Sequence, residues 1–590
     1  MSTAKIDLFG AATEHPTLAL LCSAFASLLT YVVYSCFFHP LADVPGPLSI
    51  RLGLGSWMTT RALKRDMGWK LEALHNEYGP VVRCARNMVS LVDPSAITEI
   101  YRYGAPYDKA PFYSFFKVTS PALMSTLPTH DHAEARRSVS PAFAMTLLVA
   151  LEELVTSCLD DLCGFVDKAI ASSSSGAATV DIGTLLQLLA IDVVGELAFG
   201  HTFGALPRLS GIASSSCFSS LAGLAAAGRD KDSLIPMLDA YSSSACLSDS
   251  NPFRLSSSLT SESVFIAGTQ PYAKPFLHWC MTRQVGAEGP NALGKKAGEA
   301  VAKRLEQMRE AATTGDEPRR DMLSKLVQAK NPDGSPFSVA QVKVQANSIL
   351  GELSPRPLVM FVRLTTMRAV LYYIHRDPAV LDKVLAEIDS ALADGSLTFP
   401  VLYADGTKLS YFQVLRSDTV SSPLRAACLK ETLRLHPAVP WTLPRVVPKE
   451  GAVIAGHYFA AGTEVGMSPY VFHRRKEAYG DDATSFRPER WLDASEEDKK
   501  VLERNLISFG SGSRVCIGKN ISLMEITKVV PTLLYKYKLR FTPRSASSPH
   551  QLPGRAVDGA ADARVPFHVK SQWFAHQHDF WMDVEERRFE

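Results

Sequence analysis

Between Thr17 and Phe38 the chain runs for 22 residues without a charge (TLALLCSAFASLLTYVVYSCFF). At about 1.5 Å per residue, a helix of this length spans roughly 33 Å, against about 30 Å for a bilayer core. No other feature restricts the fold as strongly, since an exposed helix of this kind must leave water and the remaining residues must fold beside it. Tyr31 and Tyr34 suit the interfacial belt where a polar-tipped ring is wetted at one end. A cleaved signal peptide calls for a basic start and a small-residue cleavage site, whereas Asp7 and Glu14 precede this run and Phe37, Phe38, His39 and Pro40 end it. A buried core helix is the other reading. Arg51, Arg61, Lys64 and Arg65 follow the run and only Lys5 precedes it, so the positive-inside tendency places the C-terminal part in the cytosol.

Pro40, Pro45 and Pro47 follow directly. Proline fixes φ and removes a donor, so residues 39–50 read as a stiff, non-helical hinge. The expected organisation is a lumenal tail over 1–16, a transmembrane helix over 17–38, the hinge over 39–50, and one large catalytic part over 51–590. Length alone, at 590 residues, suggests roughly two to four domains as a soft prior. A net charge of +2 gives no reason to expect nucleic acid as a partner. Ten scattered cysteines with no CxxC pair argue against a disulfide scaffold or a zinc site.

Beyond the hinge, VVRCARNMVSLVD reads as strands and DPSAITEIYRYG as a short helix capped by Asp93, with Pro94 first in the helix. Amphipathic helical stretches follow around residues 133–169, 181–199 and 294–312, and strand-like pieces return in VVPKEGAVIAGHYF and KYKLRFTP. The fold class is mostly α with a minor β part and no regular βα alternation, which argues against a doubly wound nucleotide-binding fold. Residues 209–265 are rich in Ser and Ala and read as a variable surface segment.

The segment Phe509–Gly518 reads FGSGSRVCIG. Gly510, Gly512 and Gly518 permit positive φ and a tight turn around Cys516. A helix is expected from about Lys519, so Cys516 sits at its positive end, where the thiolate is favoured and backbone N–H groups can reach the sulfur. Arg514 adds a cation within reach of an acidic cofactor group. A lone cysteine beside a glycine turn is more often inert, but this segment matches F-x-x-G-x-R-x-C-x-G at Phe509, Gly512, Arg514, Cys516 and Gly518.

That signature resembles the haem-binding loop of the cytochrome P-450 family. KETLRLHP places Glu431 and Arg434 at i, i+3, upstream of FRPERW with Arg490, and is similar to the family's E-x-x-R helix and later arginine. HAEAR gives His132 and Arg136, resembling the family's [W/H]-x-x-x-R helix, and PWTLPRVV supplies Arg445. The resemblance implies the cytochrome P-450 fold, a helical haem domain with small β-sheets. It also implies haem b with Cys516 as axial iron ligand, and Phe509, Gly510, Gly518, His132, Arg136, Arg445 and Arg514 in the cofactor site. Glu431, Arg434 and Arg490 would form a buried structural triad. FHPLADVPGP, LAIDVVGELAFG and YFAAGTEVGMSPYVFHRRKEAYG look most like membrane-anchored filamentous-fungal members, many of which act in secondary metabolism.

One family motif is missing. The long central helix normally carries A-G-x-[D/E]-T-T, yet here GELSPRPLVMFVRLTTMRAVLYY occupies that place. Counting from either flank puts the acid and alcohol positions on Phe361 and Val362, or near Pro355 and Arg356, so no catalytic acid/threonine pair is found. Pro355 and Pro357 should kink or break a helix, at a cost of roughly 3 kcal/mol each. Thr365 and Thr366 lie too late in the helix. VLRSDTVSS, within residues 413–423, is a second interruption. Both stretches, the first covering 350–366, are open to three readings: a gene-model error such as a retained intron or a misplaced splice site, a working enzyme that delivers protons through water, or a haem protein impaired in turnover.

The function implied is a monooxygenase that inserts one oxygen atom from O2 into a lipophilic small molecule, by hydroxylation or epoxidation. A thiolate ligand pushes electron density to the iron and favours O–O cleavage. Fungal secondary-metabolite synthesis is the expected setting, with an impaired haem binder or a catabolic or detoxifying hydroxylase as alternatives. No glycine-rich dinucleotide fingerprint follows a strand, so electrons would come from NADPH through a separate cytochrome P-450 reductase, docked on basic residues near Cys516. Membrane lipid is the other expected partner, and the implied location is the endoplasmic reticulum membrane with a cytosolic catalytic part. Residues 106–127 contain the expected specificity loop, where Phe112, Tyr113, Phe115 and Phe116 either line the substrate site or pack in the core.

Overall fold

The computed structural model describes residues 16–53, 57–116, 123–202, 204–206, 289–315, 321–331, 333–353, 360–412, 427–542, 568–571, 575–578 and 580–588. The Ser/Ala-rich stretch 209–265, the prolines at 355 and 357, and residues 413–423 lie outside these.

The apolar run forms helix α1 (Pro16–Val33) and continues through a wider turn, Tyr34–Phe38. Its span from Leu20 to Phe38 is only 6% buried, with Leu20, Phe25 and Phe37 exposed. Exposure distinguishes it from Ile182–Phe199, a helix apolar and long enough to cross a membrane but 78% buried within the protein. The N-terminal helix is therefore a candidate membrane anchor. Tyr31 is tied into the fold beside the helix end. Its hydroxyl donates to the Leu52 carbonyl at 2.7 Å, and the Arg86 guanidinium lies 5.3 Å from its ring centroid.

The hinge is equally tied down. Arg51 donates to the carbonyls of Cys36 (3.0 Å) and Ala42 (2.8 Å), and the Arg83 N–H donates to Pro45 at 2.8 Å. Gly46 permits that approach, because a Cβ there would meet the Arg83 carbonyl at 2.6 Å.

A five-stranded sheet follows: β1 (Val81–Ala85), β2 (Met88–Leu91), β3 (Asp108–Lys109), β5 (Arg445–Val446) and β8 (Glu464–Met467), in the order β1-β2-β8-β5-β3. Only β2 and β8 pair in parallel. Helix α2 (Ser95–Tyr101) begins one residue later than expected: Pro94 is its N-cap, and the Asp93 carboxylate still accepts the Ser95 N–H at 2.8 Å. The stretch expected as one helix over 133–169 is divided into α3 (Thr129–Val139), short turns around Pro141, and α4 (Glu152–Ala171).

Strand β4 (Ala177–Asp181) leads into α5 (Ile182–Val194), whose first turn is capped by the Asp181 carboxylate, accepting from the Thr184 N–H at 3.1 Å. Next come α6 (Gly289–Thr314), α7 (Val339–Leu353), α8 (Met360–Arg376), α9 (Ala427–Leu435) and α10 (Lys519–Lys536). Among the described residues, β6 (Ala452–Ile454) pairs with β7 (His457–Phe459), β10 (His568–Ser571) pairs with β11 (Ala575–His578), and β4 belongs to a further three-stranded sheet in which the last strand of the chain is central. That sheet contains β9 (Tyr537–Phe541) and β12 (Trp581–Glu586). The fold is mostly α with small sheets, as expected.

Two apolar cores hold it together. One gathers α4, α5, α8, α9 and α10 through Leu162, Leu189, Leu371, Leu429 and Val529. The other packs the five-stranded sheet against Leu71, Trp441 and Trp491. The cysteine loop passes between them, since Ile507 belongs to the second core and Phe509 and Ile517 pack on the first.

Candidate functional site

The site is built around the loop from Phe509 to Gly518. Its ends are joined by the Cys516 N–H, which donates to the Phe509 carbonyl at 2.8 Å. Within it Gly510 and Gly512 have φ of +74° and +62°, a region that disfavours other residues, and a Cβ on Gly512 would run into the Tyr101 carbonyl. Gly518 behaves otherwise: its φ is −80°, so its place before α10 needs no left-handed backbone. Cys516 follows a single 3-10 turn (Gly512–Arg514) and sits just before the first turn of α10, half-buried. The Lys519 N–H donates to its carbonyl at 3.4 Å. The expected placement of the sulfur near the positive end of a long helix is thus present.

Three of the expected arginines converge on this loop. Arg136, from the last turn of α3, donates to the Val515 carbonyl at 2.6 Å. Arg514 donates to the carbonyls of Thr126 (2.8 Å) and Leu127 (2.7 Å), but its Nε is buried without a hydrogen-bond partner. Arg445 lies over the rings of Tyr101 and Tyr113, 5.2 and 5.9 Å from their centroids. His132 is buried on α3.

These groups feel one another. Burial, then the charges of Arg514, Lys109, Arg136 and Arg445, drive the His132 imidazole down to about 3. Burial and the Arg445 charge bring Arg514 down to about 10, partly offset by Asp108. Burial also lowers Arg136, against the opposing influence of Tyr103 and the Cys516 thiol. A concentration of buried and part-buried positive charge beside a half-buried cysteine favours an anionic ligand carrying carboxylates. Two propionates and a thiolate-ligated iron meet that requirement, so these residues fit haem, and the orphaned Arg514 Nε points to the same conclusion.

Two members of this cluster were not singled out for it in the sequence. Lys109 stands opposite Arg445 in the β3–β5 register, with its ammonium 4.8 Å from the Tyr113 centroid. Tyr113, expected either to line the substrate site or to pack in the core, shares a hydrogen bond with Arg445. No motif marks either residue: strand register brings in Lys109, and the 3-10 turn Pro111–Phe116 that follows β3 brings in Tyr113. Phe112 is buried as well, while the side chains of Phe115 and Phe116 are outside those described.

The triad residues are together. Glu431 receives Arg434 through both oxygens, at 2.7 and 2.9 Å, and Arg490 at 3.4 Å. It also accepts from the Trp491 indole (2.9 Å) and the Arg487 N–H (3.0 Å). Arg434 further donates to the carbonyls of His473, Ser485 and Ala483. Arg490 has a second carboxylate, Asp482, at 2.6 Å.

Helices α7 and α8 flank residues 354–359, which hold one of the two expected registers (near Pro355 and Arg356); the other, Phe361 and Val362, falls in the first turn of α8. On α8 the Thr365 hydroxyl is buried and donates to the Ala575 carbonyl at 2.8 Å, which commits it to tying β11 to the helix. Thr366 is buried beside it.

Comparison with known proteins agrees with this geometry. The family profile described as Cytochrome P-450 matches residues 45–210 and 269–557. The cytochrome P-450 monooxygenase gsfF of Penicillium aethiopicum is 30% identical over 541 residues, covering 89% of this chain and 94% of the relative. The cytochrome P-450 monooxygenase cicH of Emericella nidulans is 27% identical over 582 residues, covering 97% of this chain and 99% of the relative. A cytochrome P-450 monooxygenase of Aspergillus terreus is 28% identical over 549 residues, covering 90% and 96%. The family binds haem b through a cysteine thiolate and uses O2, a small-molecule substrate and a redox partner. The chain belongs to the cytochrome P-450 family and is a haem-thiolate monooxygenase.

Proposed function

We propose that Cys516 is the axial thiolate of haem b, and that Arg136, Arg445, Arg514 and the neutral His132 receive its propionates. The observation that carries this is the convergence of part-buried Arg136 from α3 and Arg514 from the 3-10 turn, with buried Arg445 from β5, around the loop that holds Cys516. Phe509, Gly510 and Gly518 shape that loop. The bound haem supplies the activation of O2. The chain supplies the rest: a turn that presents the sulfur at a helix N-terminus, cations that neutralise the carboxylates, and the Glu431–Arg434–Arg490 cluster that fixes α9 behind the loop.

The substrate class is a lipophilic small molecule in fungal secondary metabolism, in keeping with an exposed apolar anchor and with relatives from Penicillium, Emericella and Aspergillus. Residues 17–38 hold the protein in the endoplasmic reticulum membrane, residues 39–50 join it to the catalytic part, and Arg51 and the basic residues after it keep that part in the cytosol. Electrons arrive from NADPH–cytochrome P-450 reductase.

The test is reconstitution of the full chain in microsomes with reductase and a panel of lipophilic metabolites. NADPH consumption coupled to a product heavier by one oxygen atom, labelled from 18O2, is the expected result. A thiolate-type spectrum with no product from any lipophilic class would contradict it.

A further inference from the structure

An α-helix leaves its last four carbonyls without donors of its own. In α9 the last bond of the helix itself is His436 N–H to the Thr432 carbonyl at 2.7 Å, and the carbonyls of Leu433, Arg434 and Leu435 beyond it are each met by a side chain from elsewhere in the fold. Arg474 donates to Leu435 at 2.6 Å. The Ser508 hydroxyl donates to Leu433 at 2.6 Å, and Nδ1 of His473 stands 3.0 Å from the Arg434 carbonyl.

The last two contacts bear on the cysteine loop. Ser508 immediately precedes Phe509, whose carbonyl takes the Cys516 N–H. His473 reaches the same segment with its other nitrogen, since the Ile507 N–H donates to Nε2 at 3.1 Å. Nδ1 faces a carbonyl and Nε2 faces an N–H, so the network assigns the proton to Nδ1 of a neutral ring. The arrangement is reciprocal, because Arg434 donates back to the His473 carbonyl at 2.7 Å. His473 is completely buried, and burial beside Arg434 and Arg474 keeps its imidazole down at about 3, neutral at any physiological pH.

We propose that His473 and Ser508 are positioning residues for the haem thiolate. They suspend residues 507 and 508 from the C-terminal carbonyls of α9, and through the Phe509–Cys516 backbone bond they fix where the sulfur stands. The loop then runs from the negative end of α9 to the positive end of α10, with both ends anchored by hydrogen bonds. The inference rests on Cys516 being the ligand. Groups that orient a metal ligand from behind are typically worth about 10–100-fold in metal retention or activity.

The test uses full-length holoprotein carrying His473→Ala, His473→Gln or Ser508→Ala, with Cys516→Ala beside them. Three quantities are followed: conversion of the reduced, CO-bound thiolate band to the neutral-thiol band, haem transfer to apomyoglobin, and the midpoint potential. His473→Ala and Ser508→Ala should speed conversion and haem transfer by about tenfold. His473→Gln, which keeps one donor and one acceptor, should restore most of the loss. If His473→Ala gives no folded protein, Ser508→Ala and His473→Gln decide. Wild-type conversion and transfer rates in the alanine variants, with the thiolate band lost in Cys516→Ala, would overturn the proposal and leave the ligand assignment standing. Survival of the thiolate band in Cys516→Ala would remove the ligand assignment itself.

Discussion

Replacing Glu431 with alanine is the most severe single change expected within the triad. The carboxylate is fully buried and accepts from Arg434 twice, from Arg490, from the Trp491 indole and from the Arg487 N–H. Removing one partner of a buried pair leaves an uncompensated charge, at about 3–5 kcal/mol. The stranded indole and amide donors add roughly 1 kcal/mol or more. Arg434 keeps its three carbonyl acceptors, so its hydrogen bonds partly survive while its charge does not. A loss of about 4–6 kcal/mol compares with roughly 5–15 kcal/mol for a whole domain, so little holoprotein should accumulate. Arg490→Ala is expected to be milder, at roughly half that cost, because its contact to Glu431 is 3.4 Å and its closer carboxylate, Asp482, is part-exposed. Urea unfolding midpoints and haem-to-protein ratios of the purified variants measure both. A Glu431→Ala protein within 1 kcal/mol of wild type, or an Arg490→Ala protein less stable than Glu431→Ala, would refute this reasoning.

Other outcomes follow from the same geometry. Arg514→Lys keeps a charge but loses the planar fork that spans Thr126 and Leu127, so haem transfer to apomyoglobin should accelerate about tenfold with the fold intact by circular dichroism. His75 and His375, held down to about 4, and His132, His436 and His473, held down to about 3, are all neutral in the folded protein by burial above all. The unfolded chain binds more protons below pH 6.5, so stability should fall as pH drops from 6.5 towards 4. Each histidine contributes about 1.4 kcal/mol per pH unit, and a flat unfolding midpoint across that window would contradict the burial of these rings. Glu464, raised by burial to about 7, acts in the opposite sense: its cost is absent below pH 4.5 and complete above 7. Glu464→Gln should therefore stabilise the protein at pH 8 and not at pH 4, as compared by thermal melts. Tyr31→Phe removes the bond to Leu52 and should loosen the anchor against the catalytic part, read as a broader distance distribution between spin labels on the two.

What could be read from the sequence was what is local. The apolar N-terminal helix, the helix after Cys516, the i, i+3 pair Glu431 and Arg434, and the strands β1 and β2 each depend on residues close in the chain, and each stands where it was expected. Even the error at Pro94 is a single position. What could not be read depends on register and packing. Lys109 joins the cationic cluster only because β3 pairs with β5, and the Tyr31 hydroxyl finds its partner only because Leu52 folds back onto it. The helix expected over 133–169 is interrupted where Pro141 stands, a signal present in the sequence but outweighed by the periodicity around it. His473 carries no motif at all: its importance comes from two partners 34 and 39 residues away along the chain.

The central claim is that the Cys516 sulfur ligates haem iron. The most direct measurement is the reduced, CO-bound absorption spectrum of the full-length protein beside Cys516→Ala and Cys158→Ala, the second a buried cysteine on α4, outside the loop and pushed far towards its neutral form. Wild type and Cys158→Ala should both show the thiolate-type Soret band, and Cys516→Ala should lack it while retaining its fold. A thiolate band that persists in Cys516→Ala, or its absence from properly folded wild-type protein supplied with haem, would contradict the account.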